Sequence, residues 1–194
     1  MAHQVIFARA TLRLPTHCLR WPALLVFAFL CLGSGISLRA QQDERAVRAA
    51  FVFNLTKYVS WPQRHDGLTI GVLGQGSMGP ILKHQLDGKL SDGKKITVIL
   101  HPSEIELREC DIVYIAQSAP TEISASLHRL SRRAVLTVGE GNGFARSGGM
   151  VGLVRSGDQM QIEVNLRALQ AAQLQMSSRL LRLAVIISGS GGSR

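Results

Sequence analysis

Apolar residues follow two patterns along the chain, and the patterns alternate. Short continuous apolar runs predict four buried strands, at Leu68–Leu73, Ile96–Leu100, Ile112–Ala116 and Ala134–Val138. Between the strands, apolar residues recur at three- and four-residue spacing, which predicts helices from Pro80 to about Asp87 and within Ser118–Leu130. Because the strands are apolar throughout, both faces of their sheet are expected to be covered by helices.

A further helix is predicted ahead of the first strand, over Asp43–Val59. It is expected to end at Trp61-Pro62, since the residue before a proline avoids the helical region. Spacing of three and four residues predicts that one face is buried, made of Val47, Ala50, Phe51, Asn54, Leu55 and Tyr58.

The C-terminal part predicts a hairpin and two helices. Met150–Val154 and Met160–Val164 flank a turn at Gly157, which is typical of two antiparallel strands. Asn165 is placed to cap a helix through about Gln173, and Ser177 or Ser178 to cap a last helix through Ile186. The fold class that follows is α/β: a three-layer sandwich whose mixed, mostly parallel sheet is flanked by helices, with a C-terminal hairpin and helices.

The first forty residues have the pattern of a secretory signal peptide. Arginines precede the apolar run Trp21–Leu32, and small residues follow it at Gly33–Ser37 and Ala40. The run is shorter than the roughly 20 residues that span a bilayer. The predicted organisation is a signal peptide at 1–40, an α/β domain at 41–188 and a disordered tail at 189–194, with a periplasmic location. An uncleaved membrane anchor is the alternative interpretation of the same residues.

Charge and cysteine content narrow the function further. The 194-residue chain has 22 Lys and Arg and 13 Asp and Glu, and the leader holds four of the arginines and no acid, which leaves +5 for the remainder. These basic residues are scattered, so a nucleic-acid partner is not indicated. Cys110 is the cysteine outside the leader, which excludes an internal disulfide and a multi-cysteine metal site. It is interpreted as a small buried hydrophobic residue.

The sequence contains no complete motif for catalysis or for cofactor binding. Gly74, Gly76 and Gly79 match G-x-G-x-x-G between a strand and a helix, but no acidic residue ends the next strand, so an ordinary turn is favoured over a dinucleotide site. The histidines form no i, i+4 pair, and G-x-S-x-G is absent. We therefore expect no catalytic residues, no metal and no cofactor.

Segments at both ends of the domain resemble one protein family. The opening Ala49-Ala50-Phe51-Val52-Phe53-Asn54-Leu55-Thr56-Lys57-Tyr58-Val59-Ser60-Trp61-Pro62 is followed by Ile70–Gly74, Gly148–Val151, Ile162–Leu166 and the closing Ser177-Ser178-Arg179-Leu180-Leu181. Their order and spacing resemble the YfiR family of periplasmic proteins, over roughly residues 43–187. Relatives use cysteine pairs for redox-linked stability, and Cys110 has no partner for this.

The resemblance implies a regulator rather than an enzyme. It implies a periplasmic protein that represses a membrane diguanylate cyclase through the cyclase's periplasmic sensor region, and thereby controls cyclic di-GMP and biofilm formation. A homodimer is a further implied partner. Candidate contact residues are Asn54, Lys57, Trp61, Glu163, Asn165 and Arg179, although the asparagines also suit capping or backbone satisfaction. The alternative function is a periplasmic small-ligand sensor that acts on a signalling partner, with its ligand between the glycine-rich loops Gly74–Gly79 and Gly139–Gly149.

Overall fold

The computed structural model describes residues 44–62, 66–131 and 133–187. The predicted signal peptide and the tail at 189–194 lie outside them. The helices are α1 (44–58), α2 (Met78–Leu86), α3 (Pro120–Leu130), α4 (Leu166–Ala171) and α5 (Ser178–Leu181). The strands are β1 (Val59–Ser60), β2 (Gly67–Leu73), β3 (Leu90–Ser91), β4 (Lys94–Leu100), β5 (Ile112–Ile115), β6 (Leu136–Glu140), β7 (Val151–Ser156), β8 (Gln159–Val164), β9 (Gln175–Met176) and β10 (Val185–Ile186).

Most of these strands form one mixed sheet, in the order β10-β8-β7-β6-β5-β2-β4-β3. The neighbours β4, β2, β5, β6 and β7 run parallel, whereas β8 is antiparallel to β7 and β3 is antiparallel to β4. A short ribbon pairs β1 with β9. The predicted fold class, a mixed and mostly parallel sheet flanked by helices, is confirmed.

The direction of the chain reverses at the centre of this sheet. From β2 the chain passes through α2 to β4 on one side, and from β5 it passes through α3 to β6 on the other. Because parallel crossovers are right-handed, the two helices cover opposite faces. The switch in chain direction therefore lies at the carboxyl ends of β2 and β5, the region where open α/β sheets bind ligands.

Two apolar clusters fill the space above and below the sheet. The larger cluster packs α1 and α2 against one face, with Val52, Leu82 and Ile112 almost fully buried. The smaller cluster packs α3 and a 3-10 turn (Glu106–Arg108) against the other face, around Val113 and Phe144. Leu130 of α3 is buried there, with Ile123 and Leu127 packed beside it.

Helix α1 buries a face that only partly overlaps the predicted one. Ala49, Val52 and Leu55 face the core, of which Leu55 was predicted, whereas Val47 is 44% exposed and Ala50 and Asn54 are exposed. The prediction was wrong because this helix is apolar on two sides, so spacing alone does not select one. Small and β-branched residues pack closely against the sheet, and the larger Phe51 and Tyr58 remain half-buried.

The predicted last helix is also too long. Helix α5 ends at Leu181, and Val185 and Ile186 form β10, which pairs parallel with β8 at the edge of the sheet. β-branched residues favour a strand, and Ile187 donates its N–H to the Val164 carbonyl at 2.8 Å. The backbone groups at the edge of β8 thereby gain hydrogen-bond partners that a continued helix would not have provided.

Candidate functional site

A cavity of about 710 Å³ lies at the carboxyl ends of the parallel strands. The loops that follow β2, β5 and β6 border it, together with Arg48 of α1 and Arg155 of β7. Side chains on its walls are partly apolar, including Met78, Ile115 and Phe144. Both glycine-rich loops therefore meet at one edge of the sheet, as expected from their positions after strands.

An ion-pair network forms the charged wall of this cavity. Arg48 contacts Glu44 at 2.6 Å and Glu140 at 3.0 Å, and Arg155 contacts the other oxygen of Glu44 at 3.0 Å. The buried Tyr114 hydroxyl donates to Glu140. The network joins α1 to β5, β6 and β7. Sequence reasoning missed these residues, since their spacing along the chain matches no known motif.

The buried phenol of Tyr114 stays protonated in this setting. Burial raises its pKa most, and the nearby Glu140 carboxylate raises it further because a phenolate beside it would be a second negative charge. Tyr114 therefore serves as a hydrogen-bond donor that fixes the Glu140 carboxylate, and it is not a candidate proton acceptor.

The first two glycines of Gly74–Gly79 serve the packing of the chain. A Cβ atom at Gly76 would lie 2.8 Å from the Ala116 carbonyl oxygen, and one at Gly74 would lie 2.9 Å from the same oxygen. Gly74 also has a φ of 98°, which favours glycine. These glycines let the loops after β2 and β5 touch. Their role in packing supports the interpretation of Gly74–Gly79 as an ordinary turn rather than as a phosphate-binding loop.

A second concave feature is an apolar groove of about 330 Å³ between α1, β8 and α5. Its floor consists of Leu55, Ile162 and Leu180, which are buried. Its rim consists of Phe51, Asn54, Tyr58, Met160 and Leu183, and Leu183 is 77% exposed. This groove contains most of the α1 face that the apolar spacing singled out.

The six predicted contact residues lie in three separate places. Asn54 is exposed on the groove rim, and Arg179 is exposed on α5, next in sequence to the groove residue Leu180. Neither Arg179 nor Arg182 forms an ion pair within the described part of the chain. These two arginines therefore add free positive charge beside the groove.

Lys57 and Trp61 lie at the other end of α1. Both border a polar cavity of about 260 Å³, and the Lys57 ammonium lies 4.7 Å from the centre of the Phe53 ring. Trp61 packs against the core and donates its indole N–H to the Asp111 carbonyl at 2.9 Å. The Asp111 carboxylate also accepts from the Thr69 N–H at 2.8 Å. Because Asp111 directly precedes β5, these contacts place Trp61 at the amino ends of the central strands β2 and β5.

Glu163 and Asn165 lie at the end of β8. Glu163 is 8% exposed, lies beside Gly152, and has one carboxylate oxygen without a hydrogen-bond partner among the described residues. Asn165 is 4% exposed, and its side chain accepts from the Ala168 N–H at 3.0 Å and donates to the Ala145 carbonyl at 2.9 Å. Its geometry is that of a helix cap that also holds the 141–149 loop.

Cys110 is buried, at 4% exposure, and its thiol donates to the Glu106 carbonyl at 3.3 Å. Burial, together with the negative charges of Asp111 and Glu106, raises the pKa of the thiol to about 12. The thiol is therefore neutral and unreactive in the folded protein. This confirms the interpretation of Cys110 as a small buried hydrophobic residue.

Within the described ranges, no group of three His, Cys, Asp or Glu side chains is arranged to hold a metal ion. None of the described helices has the length and apolar content that crossing a bilayer takes. What the described residues do offer is a mixed polar and apolar cavity and an apolar groove, which are both suited to binding.

Comparison with known proteins agrees with the resemblance at the ends of the domain. No curated protein matches the chain in sequence. The sequence profile of the YfiR/HmsC-like family matches residues 45–185, which is most of the chain and covers α1 through β10. The chain belongs to the YfiR/HmsC-like family.

Proposed function

We propose that this protein is a periplasmic regulator that binds the periplasmic sensor region of an inner-membrane diguanylate cyclase and holds the cyclase inactive. Proteins of the YfiR/HmsC-like family are periplasmic and act as regulators of membrane signalling proteins. The family match over residues 45–185 is the observation that carries the proposal. The signal peptide, the cyclase as partner and the homodimer are parts of the proposal.

The apolar groove is the surface that we assign to the cyclase. Its floor is apolar, its rim carries the exposed Leu183, and Arg179 and Arg182 lie beside it without ion pairs in the described residues. The complementary partner is a segment with an apolar side chain for the groove and carboxylates for the two arginines. Apolar anchors in such grooves supply much of the affinity of an interface, and complementary charge supplies specificity.

Repression then follows from preferential binding. A bound protein shifts a two-state partner only by its differential affinity for the two states. Moving the partner from mostly active to mostly inactive, 1:99 to 99:1, takes roughly a ten-thousandfold preference for the inactive state. The regulator needs no catalytic residue for this, since all the work is done by binding free energy.

A cellular experiment tests this function. Deleting the gene is expected to raise cyclic di-GMP and biofilm formation, and the wild-type gene is expected to restore both to the parental level. Leu183→Asp should fail to restore repression, because it removes an apolar side chain from the groove rim and places a carboxylate where the partner's carboxylates are expected to meet the two arginines. Ile105→Asp should restore it: Ile105 is also 77% exposed, and it lies outside the groove. Unchanged cyclic di-GMP after deletion would refute the proposed function.

The second candidate function is a small-ligand sensor that acts on the same kind of signalling partner. The cavity of about 710 Å³ at the carboxyl ends of the strands favours it. A sensor differs from a simple repressor in one measurable respect: the isolated protein must bind a small molecule.

A further inference from the structure

The cavity at the carboxyl ends of β2, β5 and β6 combines features that point to a ligand. It lies beside the point where the strand order reverses, on the β6 side, its walls are partly apolar, and charged groups occupy one side. Ligand sites in proteins are mostly apolar clefts with a few convergent polar groups. The apolar groups Ile115, Ile123 and Phe144 can cover a hydrocarbon body about the size of a benzene ring or a short alkyl chain.

The charged wall is balanced within itself. Arg48 and Arg155 contribute two positive charges, and Glu44 and Glu140 contribute two negative charges, so these four groups sum to zero; Asp158 near Arg155 adds a negative charge that is fully exposed and therefore screened by solvent. One donor is left over: the Arg48 Nε–H is buried and has no acceptor among the described residues. A buried donor without an acceptor costs free energy, which a ligand oxygen would recover after a small shift of the side chain.

Two helices add positive potential to the balanced wall. Ser77 and Met78 at the start of α2, and Ser118 and Pro120 at the start of α3, border the cavity. Neither helix has a side chain that caps its first N–H groups. Each helix start carries roughly half a unit of positive charge, so the two together are matched by about one negative charge.

Arg155 is the group that is able to move. Its side chain is 58% exposed, and it contacts Glu44 at 3.0 Å and Asp158 at 3.8 Å. The contact with Asp158 is long and fully exposed, and such pairs contribute little, so a ligand can replace Asp158 at low cost. A guanidinium binds a carboxylate through two parallel hydrogen bonds, which fixes the orientation of the ligand as well.

From these features we propose that the cavity binds a small organic monocarboxylate with an apolar body, with the carboxylate at Arg155 and the apolar body against Ile115, Ile123 and Phe144. A phosphate dianion fits less well, because the wall has no unpaired cation and the glycine loop is closed by its contact with Ala116. This inference rests on the sensor function, and it does not depend on which protein is the partner.

Calorimetric titration of the purified protein tests the inference. The probes are acetate, butanoate, hexanoate and phenylacetate, each compared with its primary amide, and phenyl phosphate. At least one carboxylate is expected to bind with a Kd below about 1 mM, and its amide at least about tenfold more weakly. Affinity should increase from acetate to hexanoate as more apolar surface is buried.

Two variants locate the site. Arg155→Gln is expected to weaken the best carboxylate at least about tenfold, since it removes the charge-assisted pair. Arg146→Gln is the matched control, because Arg146 is exposed in the neighbouring loop and does not border the cavity; its affinity should be unchanged. Absence of binding by every probe, equal affinity for acid and amide, or unchanged binding by Arg155→Gln would each overturn the inference. None of these results bears on repression by the groove, which is measured separately.

Discussion

Two asparagines of this chain, both expected to contact a partner, have different physical roles. Asn165 is buried, caps α4 and holds the Ala145 carbonyl, so its side chain satisfies backbone groups of two segments. Asn54 is exposed on the rim of the groove, and its side chain is available to a partner. The identity of the residue is the same, and burial decides its role.

The pair gives a prediction about stability. Asn165→Ala is expected to lower the free energy of unfolding by about 2 kcal/mol, through the lost helix cap and the unpaired Ala145 carbonyl. Asn54→Ala should change it by less than about 0.5 kcal/mol, as is usual for an exposed site. Urea unfolding of both variants is the measurement. A cost for Asn165→Ala no larger than that for Asn54→Ala would show that Asn165 is not structural.

Cys110 gives a prediction about pH. Its pKa is about 12 in the folded protein against an ordinary 9.0, so above pH 9 the unfolded chain loses this proton before the folded one does. Stability is therefore retained below pH 9 and falls as the pH rises toward 12.

The Cys110→Ala variant isolates this effect from other groups. Between pH 8 and pH 10, wild type should lose about 1 kcal/mol more stability than Cys110→Ala, as measured by urea unfolding at both values. Equal losses in the two proteins would mean that the folded thiol ionises normally. A thiol reagent should likewise label Cys110 in urea and leave the folded protein unlabelled.

At the scale of elements, the loops after β2 and β5 depend on each other. Gly76 lies against Ala116, with room for no side chain between them. This contact closes the crevice at the centre of the sheet and leaves the open cavity beside it, toward β6. The glycine at this position borders the cavity and shapes it by letting the two loops meet.

A pair of glycine substitutions tests that contact. Gly76→Ala is expected to destabilise the protein by about 1–3 kcal/mol, because its Cβ would lie 2.8 Å from a backbone oxygen. Gly152→Ala is the control, since the nearest atom to its Cβ would lie at 3.6 Å, an ordinary contact distance. Thermal unfolding compares the two. Equal Tm values would show that the loops do not press together.

Elements also show how far sequence reasoning reaches. The central strands β2, β4, β5 and β6 were predicted from their continuous apolar runs, because burial on both faces leaves a strong signal. The buried face of α1 was mistaken, since that helix is apolar on two sides, and β10 was taken for a helix because Leu183, Val185 and Ile186 continue an apolar run. In both cases the observed structure depends on contacts with distant parts of the chain. The local spacing of apolar residues carries no information about those contacts.

The candidate sites were predictable only in part for the same reason. The two glycine-rich loops pointed to the right edge of the sheet, since loops after parallel strands share one edge. The network of Arg48, Glu140 and Arg155 was not predicted, because it joins residues that are over ninety positions apart in sequence. The groove was not predicted: four of its residues, Phe51, Asn54, Leu55 and Tyr58, belong to the α1 face that was expected to pack in the core.

At the scale of the whole molecule, α1 contributes to both binding features. Its first turns carry Glu44 and Arg48 of the cavity wall, and its later turns carry Phe51 and Tyr58 of the groove. The groove has an apolar floor, and the arginines next to it in sequence form no ion pair with any described residue, which is the basis on which we propose it as a protein-binding surface. The proposed regulation therefore depends on what binds in the cavity and in the groove, the two features that α1 helps to form.

The groove gives the most direct test of the account. The measurement is the affinity of the purified protein for the purified periplasmic region of an inner-membrane diguanylate cyclase from the same cell, by calorimetric titration. Wild type and Ile105→Asp are expected to bind equally, and Leu183→Asp at least about thirtyfold more weakly, as for a loss of about 2 kcal/mol when an apolar contact of the rim is replaced by a charge that repels the partner's carboxylates. Equal binding by Leu183→Asp and Ile105→Asp, or no binding by wild type, would contradict the account.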